Sequence, residues 1–194
     1  NKEVDLNNLH DTDKWIISRK NQIVKEVTNN MEKYEFGIAA EKLYSFIWGE
    51  FCDLYIEFAK PRLNSDNKED RFGTQFTLNH VFTDILKMLH PFMPFVTEEI
   101  WQDLAERKPG ESIMVADKPE PQPIDEQLLA RFALLQEAVS AVRNVRKQKN
   151  LPQKEALELK VVRDENYPAE YEAVIVKMAN LSAVTFVTER NPMD

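Results

Sequence analysis

The sequence predicts a mainly α-helical protein, a helical bundle over residues 1–150 followed by a small strand–helix–strand (α+β) tail over 151–194. Two observations carry that prediction. Through the first three quarters of the chain, apolar residues recur at three- and four-residue steps, the period of a helix with one buried face. After residue 157 the period drops to two, returns to helical, and drops to two again. Composition bounds the answer: 194 residues, 43% of them apolar and 30% charged, describe an ordinary soluble protein that buries about 70% of its unfolded surface. No run approaches the ~20 apolar residues of a membrane span.

The elements follow in order. Asp11, Thr12 and Asp13 offer capping side chains and negative charge to a first helix. Its stripe is Trp15, Ile16, Ile23, Val24, Val27 and Met31, and it frays at 29–34. A longer second helix is expected over 35–59, with Phe36, Ala40, Leu43, Ile47, Phe51, Leu54 and Phe58 on one face. Tyr44, Trp48, Tyr55 and Ile56 widen that face, so this helix is expected to be buried on more than one side. Gly49 inside it permits close packing or a bend, and Pro61 ends it by turning the preceding residue from the helical region. Polar residues 62–73 read as a loop.

A third helix carries Phe76, Leu78, Val81, Phe82, Ile85, Leu86 and Leu89 and stops at His90-Pro91. Pro94 opens a fourth at its first position, where a missing N–H is harmless. Glu98 and Glu99 are expected in its first turn, complementing the helix dipole, with Ile100, Trp101 and Leu104 buried. Four prolines mark 108–123 as a linker, whose apolar run 113–116 can add a strand. A fifth helix buries Leu128, Phe132, Leu135, Val139 and Val142. In the tail, Leu157, Leu159 and Val161 alternate as a strand; Tyr171, Val174, Ile175, Met178 and Leu181 return to helical spacing; Val184, Phe186 and Thr188 alternate again.

Reactive machinery is not assembled by these residues. The four glycines form neither G-x-G-x-x-G nor G-x-x-x-x-G-K-[ST]. One cysteine, Cys52, excludes an intrachain disulfide and a cysteine-based zinc cluster, and its apolar setting makes it inert. His10, His80 and His90 lie at no metal-ligand spacing; His80 reads as a partly buried structural residue and His90 as a helix-end cap. Adjacent Glu98 and Glu99 point to different sides of a helix and cannot share a substrate. Catalytic residues and metal ligands are therefore expected to be absent.

Charge offers more. The net charge of −8 argues against a surface that binds nucleic acid everywhere. Yet from 138 to 154 stand Arg143, Arg146, Lys147, Lys149 and Lys154 with no acidic residue among them. The bland reading is cations gathered at a helix C-terminus. The sharper reading is a phosphate-contacting ridge, with Arg143, Arg146 and Lys147 sharing a face opposite Val139 and Val142. Arg19, Lys42, Lys60 and Arg62 are weaker candidates, and the aromatics all fit core stripes, leaving none identifiable for base stacking.

The run from His90 to Gln102, H-P-F-M-P-F-V-T-E-E-I-W-Q, resembles the anticodon-binding helical domain of class Ia aminoacyl-tRNA synthetases, the group for valine, isoleucine, leucine and methionine. The run from Phe51 to Arg62, F-C-D-L-Y-I-E-F-A-K-P-R, resembles the valine-specific branch, as do D-K-W-I-I-S-R from Asp13 and R-N-V-R from Arg143, followed by Leu151-Pro152. The resemblance runs through essentially the whole chain in order. It implies a non-catalytic domain that holds the anticodon stem-loop of a valine tRNA, with the basic helix end on phosphates. It also implies a parent ligase whose catalytic domain uses ATP and Mg²⁺. The adenylation signatures H-I-G-H and K-M-S-K-S, the editing domain, the C-terminal coiled coil and the helix that usually precedes Asp13 are missing, and Leu54 stands where Trp is usual. With Asn1 in place of Met and no signal-peptide pattern, the chain reads as a piece of a larger cytoplasmic protein that needs neither membrane nor DNA. The alternatives are a scaffold that packs on the catalytic body, the equivalent domain of an isoleucine, leucine or methionine enzyme, and an unrelated helical interaction module.

Overall fold

The computed structural model describes residues 9–152, 154–162 and 172–189. Two compact units divide the chain, Asn1–Asp125 and Glu126–Asp194. The boundary lies ahead of the fifth expected helix rather than at 150, because that helix packs with the strand–helix–strand tail.

The first unit contains α1 (Asp11–Glu32), α2 (Phe36–Ser45), a π-helical segment (Phe46–Tyr55), α3 (Ile56–Leu63), α4 (Lys68–Leu89), α5 (Pro94–Asp103) and a 3-10 turn (Ile113–Val115). α1 is capped by His10, whose Nδ1 accepts from the Thr12 amide at 3.3 Å. Asp13, expected to help start this helix from the surface, is instead fully buried. It accepts from Tyr55 Oη at 2.7 Å and pairs with Arg62 at 2.8 Å, and Arg62 also holds Asp70 at 2.6 Å. The Asp13 carboxylate thus ties α1 to the π segment and to α3, Arg62 carries the link on to Asp70 of α4, and these partners offset part of the cost of burying it. Burial, and then the charge of Asp13, push the Tyr55 phenol far up, so it stays the donor.

The single helix expected over 35–59 has a π-helical centre. Through α2 and the π segment the buried residues are Ala39, Leu43, Phe46, Phe51, Leu54 and Tyr55, and the step from Phe46 to Phe51 is five residues. The five-residue step matches the wider hydrogen-bond span of the π segment, which re-phases the buried face. Phe36 and Tyr44, in α2 ahead of the π segment, and Trp48 within it, all expected on the core face, lie off the line of Ala39, Leu43 and Phe46 and are exposed. Gly49 is exposed too, with no neighbour for a Cβ to meet, so close packing is not its role. Pro61 does not end the helix: α3 continues to Leu63, the proline costing one hydrogen bond in the last turn. The polar loop shrinks to 64–67, because Asn67 caps α4 by accepting from the Glu69 and Asp70 amides.

His90-Pro91 closes α4 and Pro94 opens α5, as the sequence implies. His90 Nδ1 and Thr97 Oγ1 lie 2.8 Å apart and lock this corner. Glu98 stands beyond the first turn, where it pins the linker rather than serving the dipole. Its carboxylate accepts from Gln102, from Ser112 Oγ at 2.6 Å and from the Ile113 amide at 3.2 Å. These donors hold its pKa below the ordinary value of 4.5. Ile113 is then buried with Leu86 and Trp101, so the run 113–116 forms a 3-10 turn instead of a strand.

The second unit contains α6 (Glu126–Gln148), β1 (Leu157–Val162), α7 (Glu172–Ala179) and β2 (Leu181–Val187). The strands pair in parallel, Leu159 opposite Val184 and Val161 opposite Phe186, with an irregularity after Leu157. Asn180 adopts φ 50° and ends α7, which puts Leu181 at the head of β2 rather than in the helix. Tyr171 and the Val174 side chain, expected on the helical stripe, lie outside the described residues.

Candidate nucleic-acid interface

The five cations of 143–154 have two fates. α6 buries Leu128, Phe132, Leu135, Val139, Val142 and Arg146, steps of four, three, four, three and four. Arg146 is thus the last member of the apolar stripe and shares the face of Val139 and Val142, not the opposite one. It is 3% exposed. Asn150, at φ 52°, turns the chain after α6, and the Leu151 amide returns to the Arg146 carbonyl at 2.9 Å. The Arg146 guanidinium then donates to the Pro152, Ala179 and Asn180 carbonyls at 3.0, 3.0 and 2.7 Å. It acts as an internal clamp between the end of α6 and the end of α7, and the expected exposed ridge loses its middle member.

Arg143, Lys147, Lys149 and Lys154 are exposed. Arg143 and Lys147, with Arg146, Asn150 and Leu151, line an open cleft of about 480 Å³. Lys149 and Lys154 lie outside its lining. Among the described residues no carboxylate pairs with Lys147, Lys149 or Lys154. Arg143 and Lys147 stand exposed at this cleft, and cations so placed suit a phosphate.

The weaker basic candidates are all engaged with carboxylates. Arg19 grips Glu50 through two bonds, at 2.7 and 2.9 Å. Lys42 pairs with Glu26, Lys60 with Glu57, and Arg62 with Asp13 and Asp70.

Sequence reasoning missed a set of exposed aromatics. Tyr34 and Tyr44 are 81% and 66% exposed, Trp48 is 60% exposed, and Phe36 is half exposed. The rings associate in pairs, Tyr34 with Phe36 at 6.1 Å and Tyr44 with Trp48 at 6.4 Å between centroids. A signal existed: Phe36, Ala40, Tyr44 and Trp48 form their own four-residue stripe, distinct from Ala39, Leu43 and Phe46. Exposed ring faces on a helix are what unstacked bases need.

Lys20, His80 and Cys52 are engaged in packing and pairing within the first unit. Lys20 is buried, donates to Asp84 at 2.8 Å and lies 3.2 Å from His80 Nε2. Phe76 stacks on His80 at 5.7 Å between centroids. Burial and the Lys20 charge hold the His80 pKa below its ordinary 6.5. Burial and Asp53 raise the Cys52 thiol, which keeps it unreactive. Among the described residues no group of three His, Cys, Asp or Glu side chains can hold a metal ion, and no helix is long and apolar enough to cross a membrane.

Residues 13–162 match the family described as the anticodon-binding domain of tRNA ligase. The chain belongs to that family. The anticodon-binding domain is 44% identical over 98% of its length to valine–tRNA ligase of Thermotoga maritima. It is 41% identical over 91% to that of Parabacteroides distasonis and 43% identical over 82% to that of Listeria monocytogenes. It spans only 22%, 20% and 18% of the length of these three relatives. The mainly α-helical anticodon-binding domain therefore extends across both compact units, from Asp13 in α1 to the end of β1.

Proposed function

We propose that this domain holds the anticodon stem-loop of a valine tRNA for a ligase whose ATP- and Mg²⁺-dependent chemistry lies elsewhere in a longer cytoplasmic chain. The observation that carries the assignment of contacts is the cleft at the end of α6, where Arg143 and Lys147 stand exposed in a chain of net charge −8. Phosphates there fix register and supply affinity; the acidic remainder disfavours RNA elsewhere. In the first unit, taken by itself, the exposed ring faces of Tyr34, Phe36, Tyr44 and Trp48 suit bases freed from stacking. The contribution of the domain is orientation, which converts a collision of two macromolecules into a positioned one. The names of the relatives support valine over isoleucine, leucine or methionine.

The test is binding of valine tRNA at low salt by the chain and by Lys147→Glu/Lys149→Glu. The reversal is expected to weaken binding at least tenfold while the melting temperature stays within a degree or two. Unchanged affinity overturns the assignment of the cleft.

A further inference from the structure

The cleft at the end of α6 offers more than charge. It measures about 480 Å³, within the range of small-molecule clefts, about 300–1,000 Å³, and one phosphate fills only part of such a space. Its lining is of three kinds. Arg143 and Lys147 stand one turn apart on α6, both exposed. Arg146 is buried beside them, its guanidinium held by three carbonyls, and adds a third positive charge from the interior. Asn150 brings a carboxamide, and half-buried Leu151 brings an apolar side.

The backbone sets this lining in advance. Asn150 takes φ 52°, and the amides of Lys149, Asn150 and Leu151 donate to the carbonyls of Val145, Lys147 and Arg146 at 2.9, 3.4 and 2.9 Å. A helix C-terminus ordinarily repels an anion through its unsatisfied carbonyls. Here three of those carbonyls already accept, so the cations meet less opposition from the helix end. The turn that presents Asn150 and Leu151 is fixed by the same bonds, and less ordering entropy is lost when a ligand binds between them.

A bare phosphate uses only the cations. A nucleotide uses the whole lining: its phosphate suits the cations, its ring face suits Leu151, and its base edge suits Asn150. A carboxamide carries two donors and one acceptor, which match a base edge that sets a donor beside an acceptor. We infer that the cleft is a nucleotide pocket that takes one unstacked residue of the bound RNA, its phosphate at Arg143 and Lys147 and its base at Asn150 and Leu151. Unstacked residues are the part of an RNA whose bases a protein reads. The pocket deepens the reading of this cleft as the place where RNA phosphates are held, and rests on it.

Titration of the 194-residue chain followed by nuclear magnetic resonance tests it, with inorganic phosphate, ribose 5-phosphate and adenosine 5′-monophosphate as the probes. Shifts of the backbone amides of 143–151 report occupancy. The nucleotide is expected to bind about fivefold or more tightly than ribose 5-phosphate, and excess valine tRNA is expected to displace it. Asn150→Gly removes the carboxamide and keeps the left-handed turn, which glycine adopts without strain. It is expected to erase most of the preference for the nucleotide, whereas Lys147→Gln is expected to weaken all three probes. Equal affinities for the nucleotide and ribose 5-phosphate overturn the inference, as does a preference that survives in Asn150→Gly or a nucleotide that stays bound beside saturating tRNA. Valine tRNA affinity of Lys147→Gln, measured on the same samples, reports separately on the reading beneath. If it falls while the nucleotide shows no preference, the cleft is a phosphate site and only the pocket is overturned; if it is unchanged and no probe binds, both are.

Discussion

Arg146 Nη2 donates to the Asn180 carbonyl at 2.7 Å, so a cation from the end of α6 closes the end of α7. The guanidinium also donates to the carbonyls of Ala179 and Pro152, while its Nε is buried without an acceptor. Truncation leaves three buried or half-buried acceptors without their donor, and charged donors are worth more than neutral ones. Arg146→Ala is expected to destabilise the second unit by about 3 kcal/mol in urea unfolding followed by far-UV circular dichroism. Arg146→Lys should rescue only part of this, since one ammonium cannot reproduce the fork. A loss below about 0.5 kcal/mol in Arg146→Ala means the clamp is idle.

Phosphate contacts have a distinct signature. Each cation that releases counterions from RNA adds roughly 0.7–0.9 to the slope of log affinity against log salt. Lys147→Gln is expected to lower that slope by about one such increment, and Arg19→Gln, which breaks the bonds to Glu50 and Gln22, by none. A salt titration of valine tRNA binding by the two variants makes the comparison.

The exposed rings predict a loss of a different kind. Trp48→Ala is expected to cost about 1–3 kcal/mol of tRNA affinity with no change in salt slope, as stacking rather than charge is removed. Since the ring is more than half exposed, folding stability should shift by less than about 0.5 kcal/mol. Calorimetric unfolding beside the binding assay separates the two quantities.

The buried carboxylate Asp13 is held from two sides, by Tyr55 and by Arg62. Tyr55→Phe removes one donor and should cost about 1–2 kcal/mol. Asp13→Ala leaves the Arg62 charge without its buried partner and should cost about 3–5 kcal/mol. Equal losses in the two variants would falsify the account of Asp13 as the hub.

His80 sets a pH dependence. Its pKa is lower folded than unfolded, so below 6.5 the unfolded chain takes up the proton more readily. Stability is complete above pH 6.5 and declines as pH falls from there toward the depressed folded value. Folded His80 resists protonation because Lys20 and Lys87 oppose it more than Asp84 favours it, on top of burial. His80→Gln should flatten the melting-temperature profile over that window. The Glu98 carboxylate adds a further decline below its ordinary 4.5.

Much of this protein was determined by local pattern. Helical spacing from Trp15 to Val27, the proline pair around His90 and Pro94, and the alternation from Leu157 to Val161 place their elements correctly, because each depends on residues within a few turns of one another. The buried fate of Arg146 was also in the pattern, at the end of a stripe stepping by four and three from Leu128, but its charge drew attention to water instead. Other outcomes belong to tertiary structure. The π segment shifts the buried face by a five-residue step from Phe46 to Phe51, which a regular wheel does not contain. Glu98 serves a linker fourteen residues away, and Asp13 serves a tyrosine forty-two residues away. Local periodicity tells which face of an element is apolar; only the packed chain decides which polar group finds a partner, and therefore which cations and rings remain for RNA.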